Sequence, residues 1–185
     1  MPAPIYTSEQ FEQLIKSLNG SYALRDKCII LFSRCQGMRA SEIAHLTIGS
    51  IVDRDNVIKD WLHVPLVKTK KPRDIPLHPR VKAALAEYLA SFKWKSLDEP
   101  LFISSLGFKF HRVTINALFR RILNNAGLYN HSSHSGRRTC ATELSNKGAP
   151  IRHIQKLLGH SSIATTALYC EASPQDLIRL LERIE

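Results

Sequence analysis

Leu157-Leu158-Gly159-His160-Ser161-Ser162 is the stretch that orders the rest of the chain. Two apolar residues close a helix, and a glycine stops it. A histidine then sits at a tight junction before the next helix, where its ring is held in place. Tyr169 follows, after the helical segment Ile163-Ala164-Thr165-Thr166-Ala167-Leu168. Upstream stand His134-Ser135-Gly136-Arg137-Arg138, then the basic turn Lys68-Thr69-Lys70-Lys71-Pro72-Arg73, then Gly37-Met38-Arg39-Ala40-Ser41-Glu42. Arginines can hold a phosphate in bidentate fashion. Histidines can move protons near neutral pH. A tyrosine can attack as an oxygen nucleophile and form a covalent intermediate.

Each piece has a plainer reading. Arg39 can pair with Glu42 one helical turn away, and a buried carboxylate can orient a neighbouring guanidinium, so both uses can hold. The Lys68–Arg73 turn can be a solvated charged turn. It can equally be a two-stranded probe for a DNA groove, carrying Lys70, Lys71 and Arg73, with Lys68 placed to protonate a leaving oxygen. His134 and Arg137, one turn apart at a helix start, face the same side. The unpaired N–H groups there favour an anion, and Arg138 adds charge. Alone, Tyr169 reads as a packing residue; only the ordered combination argues otherwise.

Outward from these motifs the pattern is mostly helical. Residues 1–6 carry two prolines and no periodicity, and read as an arm. Thr7 with Gln10 forms a capping box, Phe11, Leu14, Ile15 and Leu18 follow at helical spacing, and Asn19-Gly20 ends that helix. Residues 22–35 form a broadly apolar, central helix. Ser41 is placed to cap a short third helix. Residues 48–77 favour strands, broken by turns such as Asp53-Arg54-Asp55-Asn56, and predict a small antiparallel sheet of about three strands. Helices are expected at about 79–92, 111–126, 136–147, 151–158, 162–168 and 174–184, with a short extended piece at Leu101-Phe102-Ile103. The fold class is therefore α+β, mainly α-helical.

Composition narrows the partner. Of 185 residues, 26 are Lys or Arg and 16 Asp or Glu, a formal charge of +10 that points to a polyanion, most simply nucleic acid. Cys28, Cys35, Cys140 and Cys170 lack zinc spacing and read as reduced thiols. His131 and His134 have no carboxylate or cysteine suitably spaced to complete a metal site. Clustered acidic ligands of a metal-dependent nuclease are absent. No apolar run suits a bilayer and no signal peptide opens the chain, so a soluble intracellular protein without a membrane partner is expected.

Taken together, the motifs resemble the tyrosine recombinases, the lambda-integrase-like enzymes that cut and rejoin DNA. The resemblance runs from about residue 7 to 172, leaving 173–185 as a helical tail. It implies the catalytic fold of that family, and double-stranded DNA as substrate. It places the catalytic set on Arg39, Lys68, His134, Arg137, His160 and Tyr169, with Glu42 in support. It implies a 3′-phosphotyrosyl intermediate, with neither a cofactor nor a metal. It further implies a homotetramer on synapsed DNA, a monomer or weak oligomer off it, tail exchange between subunits, and a cytoplasmic, nucleoid-associated bacterial enzyme. Two features depart from the common pattern. The box ends Arg137-Arg138 where Arg-His is usual, and the chain opens where the catalytic domain opens. It is thus either a trimmed piece or a naturally minimal recombinase, as the fimbrial switch recombinases are. The competing class is a non-catalytic DNA-binding module that regulates recombination. It would be marked by a missing tyrosine or arginine, and none is missing.

Overall fold

The computed structural model describes residues 3–64, 72–169 and 181–182. Helix α1 (Ser8–Ser17) starts at the expected capping box: Thr7 Oγ1 accepts from Gln10 N–H, and the Gln10 side chain accepts from Thr7 N–H. Helix α2 (Ala23–Cys35) is the central post, with Cys28, Ile29, Ile30, Leu31 and Phe32 all buried. Its apolar residues run around most of its surface because helices pack on several sides of it.

Helix α3 (Ala40–Ala44) begins two residues earlier than a cap at Ser41 would set it. Arg39 is the N-cap, and its N–H donates to Glu42 Oε2 at 2.8 Å. The capping carboxylate therefore comes from inside the helix. Helices α5 (Pro79–Ala90) and α7 (Ser135–Asn146) flank α2. α7 docks closely because residue 136 is glycine. A Cβ there would lie 2.6 Å from Ser33 Oγ and 3.1 Å from the Arg34 nitrogen. Helix α6 (Arg112–Asn125) closes the core from another side with Ile115, Leu118, Phe119, Ile122 and Leu123.

The sheet corrects an expectation. Among the described residues it has two antiparallel strands, β1 (Trp61–Val64) and β2 (Arg73–Pro76), not three. Ile48–Ile51 forms instead a single helical turn, α4, opened by Thr47 and Ser50, which puts Ile48 and Ile51 together in the core. The remainder of the expected first strand shrinks to one antiparallel bridge, Val52 with Ile58. The intervening turn closes on Asp53, whose carboxylate accepts from the N–H groups of Asp55 and Val57, with Asn56 at φ 60°. The expected extended piece Leu101-Phe102-Ile103 is instead bent at Leu101 and Phe102, and isolated bridges at its flanks pair Thr47 with Pro100 and Ile103 with Lys109.

The chain ends its described course in α8 (Ile151–Leu158) and α9 (Ile163–Ala167). Among the described residues no helix is long and apolar enough to cross a membrane. The expected 174–184 helix lies outside the described residues except at Leu181 and Glu182, as do Cys170, Lys68, Lys70 and Lys71.

The N-terminal arm is bound to the body. Arg138 Nη1 donates to Ala3 O at 2.7 Å, Tyr6 N–H donates to Thr139 Oγ1 at 2.9 Å, and the Tyr6 ring stacks on His131 with centroids 5.0 Å apart.

Candidate active site

The site is assembled around the C-terminal end of α8. A helix end leaves its last carbonyls without intrahelical partners and carries partial negative charge, so it attracts cations. Here three guanidiniums meet it. Arg73 Nε donates to Leu157 O at 2.8 Å, Arg137 Nη2 to Leu158 O at 2.7 Å, and Arg39 Nη1 to the same Leu158 oxygen at 3.3 Å. Arg137 Nη1 also donates to Gly37 O at 2.5 Å, tying α8 to the turn after α2.

Gly159 makes this convergence possible. Its φ of 62° is the left-handed helix stop that glycine adopts without strain, and the His160 N–H returns to Gln155 O. A Cβ at 159 would also lie 2.8 Å from Arg73 Nη1. The glycine is required both for the turn and for the arginine that lies against it.

Glu42 is the counter-charge. It is 4% exposed and accepts from Arg73 Nη1 and Nη2 at 3.0 and 3.1 Å, and from Arg39 Nη1 at 2.9 Å. Burial alone would raise its pKa. The hydrogen bonds and charge of Arg73, the Arg39 N–H and the Arg39 charge outweigh that and hold the carboxyl down to about 2. Burial and the neighbouring Arg39 charge push Arg137 down to about 9, while Glu42 and Tyr169 support its charged form. It remains a cation at neutral pH. His134, at the start of α7, has its pKa lowered by burial and then by Arg137, Arg39 and Arg112. It is therefore a neutral imidazole, able to accept a proton, at pH 7.

Past Gly159 the chain turns back. His160 Nδ1 pairs with Thr166 Oγ1 at 2.9 Å, which fixes the ring against α9. Tyr169 sits two residues beyond the end of α9, its N–H donating to Thr166 O, and its ring stacks on His160 at 5.9 Å between centroids. Tyr169 lines a cavity of about 850 Å³ together with Ala3, Pro4, Asn130, Ser132, His134 and Arg138. A second groove, about 650 Å³, continues from His134 past Arg112, Asn116, Arg120 and Ser133.

Of the expected residues, Arg39, Glu42, His134, Arg137, His160 and Tyr169 are thus gathered at one place. Lys68, Lys70 and Lys71 fall outside the described residues. Arg138 reaches back to the arm. Arg73 points inward, 10% exposed at the side chain, where the turn reading had it facing DNA. The reason is strand parity: Arg73 shares a face of β2 with buried Ile75. Sequence reasoning missed Thr166, the partner of His160, and the wall made by Ala3 and Pro4. No local motif marks either contact.

The sequence pattern of the phage integrase family matches residues 5–176. The chain belongs to that family. Among curated members, it is 33% identical over 164 residues to a tyrosine recombinase XerC of Pelobacter propionicus, covering 88% of this chain and 53% of that protein. It is 34% identical over 172 residues to a XerD of Chlamydia trachomatis, covering 89% of this chain and 54% of that one. The chain thus spans about half the length of these integrase-family relatives. The crystal structure of XerA recombinase superposes on all of this chain and 66% of its own, with a TM-score of 0.77 and 28% identity. The Tn1549 transposon integrase, solved with a circular intermediate DNA, shares the fold with a TM-score of 0.78 at 22% identity, covering all of this chain and 67% of its own.

Proposed function

We propose that this integrase-family domain cleaves and rejoins double-stranded DNA at specific sites, through a covalent phosphotyrosyl intermediate. The observation that carries the reading is the placement of Tyr169. It shares a cavity with His134 and stacks on His160, beside an arginine cluster mounted on one helix end.

In this reading a scissile phosphate enters the cavity, and Arg39 and Arg137 stabilise the charge on its non-bridging oxygens in the transition state. The Tyr169 hydroxyl oxygen attacks phosphorus. Its proton passes to the neutral His134 imidazole, the new O–P bond forms, and the P–O5′ bond breaks. Lys68 gives a proton to the departing 5′ oxygen, and His160 hydrogen-bonds the phosphate. The products are a 3′-phosphotyrosyl link and a free 5′-hydroxyl. A 5′-hydroxyl from a partner strand reverses these steps and exchanges the strands. Lys70, Lys71, Arg138 and the His134–Arg112–Arg120 groove supply phosphate contacts along the duplex. Four such domains act together on two synapsed duplexes, while the protein off DNA is a monomer or weak oligomer of the bacterial nucleoid.

The test is a nicked suicide duplex, whose released end diffuses away and traps the intermediate. A denaturant-stable adduct attached through the DNA 3′ end is expected. Cleavage that leaves only free ends would contradict the proposal.

A further inference from the structure

We propose that Arg73, at the start of β2, is the positioning residue of the phosphate clamp, acting through Glu42 and the end of α8 on Arg39. The inference rests on the cleavage reading above.

The geometry is that of a bracket. Arg73 spends Nε on Leu157 O and both Nη atoms on the two Glu42 oxygens, at 2.8, 3.0 and 3.1 Å. A bidentate fork fixes the plane of a carboxylate as a point charge cannot. The Glu42 plane in turn fixes Arg39 from two directions: Oε2 holds the Arg39 backbone N–H and Oε1 holds Nη1. Arg39 Nε and Nη2 have no hydrogen-bond partner among the described residues, so the bracket leaves them to present to an anion. The guanidinium of Arg73 is also confined over Gly159, the residue before His160. One side chain therefore ties the hairpin, the acidic residue, the first arginine and the histidine junction to one another. A lysine can supply the charge at this place. It cannot supply three donors in a planar fork, so charge and orientation are separable by substitution.

The experiment uses the full chain on a suicide duplex selected from a random library by covalent capture. Single-turnover cleavage is compared for the parent, Arg73→Ala, Arg73→Lys and Arg39→Ala, each on a phosphodiester and on a methylphosphonate at the scissile position. The methyl group removes the non-bridging charge that Arg39 would stabilise, so a lost clamp matters less on that substrate. Arg73→Lys is expected to cleave the phosphodiester more slowly by on the order of 10- to 100-fold, as when a group that orients a reacting residue is lost. Its deficit should shrink on the methylphosphonate as that of Arg39→Ala does. In the Arg39→Ala background, Arg73→Lys should add little further loss. A deficit equal on both substrates, or fully additive with Arg39→Ala, would make Arg73 merely structural and overturn the inference. So would parent-like cleavage by Arg73→Ala and Arg73→Lys. A parent chain that yields no adduct in the capture would overturn the cleavage reading, and the inference with it.

Discussion

Arg39 and Arg137, ninety-eight positions apart in sequence (137 − 39 = 98), donate to one and the same oxygen, the carbonyl of Leu158. They differ sharply in how they are held. Arg137 is 3% exposed and also bonds Gly37 O, whereas the Arg39 side chain is 19% exposed. In the proposed reaction these two cations, fixed at one helix C-terminus, would hold the scissile phosphate between them.

That difference separates two substitutions. Arg137→Ala leaves the Gly37 carbonyl without its donor and Leu158 O with only the 3.3 Å bond from Arg39, and should lower stability by about 1–3 kcal/mol. Arg39→Ala leaves Glu42 still paired with Arg73 and should lower it by about 1 kcal/mol or less. Both should slow cleavage by about 100-fold or more. Urea melts beside single-turnover cleavage check this. Equal stability for the two variants would show that the Gly37 and Leu158 bonds of Arg137 do not hold the fold.

Gly159→Ala combines a left-handed φ with a Cβ pressed against the Arg73 guanidinium. Stability should fall by about 1–3 kcal/mol, and cleavage should fall with it, because Arg73 must move. Thermal melting reads the first effect. A variant as stable as the parent would mean that the helix end adapts without strain.

The pH dependence of stability has a definite sign at Glu42. Its pKa is depressed in the fold to about 2, against an ordinary 4.5, so its contribution is complete above about pH 4.5. That contribution is lost as pH falls from there toward 2. Glu42→Gln should flatten this acid limb. His134, also depressed, is neutral at pH 7, so the acid limb of a cleavage profile should fall below the ordinary histidine value of about 6.5. Urea midpoints and rates against pH test both. An acid limb lying above that value would remove His134 as the proton acceptor.

Much of this was legible in the chain. Helices α1, α2, α7, α8 and α9 follow from Thr7–Gln10 capping, apolar spacing and Gly159, each within a residue or so of its expected bounds. The six gathered site residues follow from motif order. What escaped depended on contacts distant in sequence or on short-range competition. Ile48–Ile51 has strand-favouring residues, yet the Thr47–Ser50 cap and the burial of Ile48 beside Ile51 select a helical turn. Arg73 read as part of a basic run, although its two-residue spacing from Ile75 already gave its direction. The Arg138 bond to Ala3 spans most of the chain, and no local pattern encodes it.

The charge of +10 bears on binding. Affinity for duplex DNA should fall linearly on a log–log plot against salt, because each neutralised phosphate releases counterions. Fluorescence anisotropy between low and moderate salt measures it. A flat response would contradict a phosphate-reading face.

In the proposed reaction Tyr169 makes the covalent bond. Tyr169→Phe keeps the ring that stacks on His160 and removes one oxygen, so folding and duplex binding should persist. The measurement is mass spectrometry of the protease-digested adduct formed on a suicide duplex. The nucleotide should be carried by the peptide containing Tyr169, and Tyr169→Phe should yield no adduct. A denaturant-stable adduct from Tyr169→Phe, or a nucleotide on any other peptide, would contradict it.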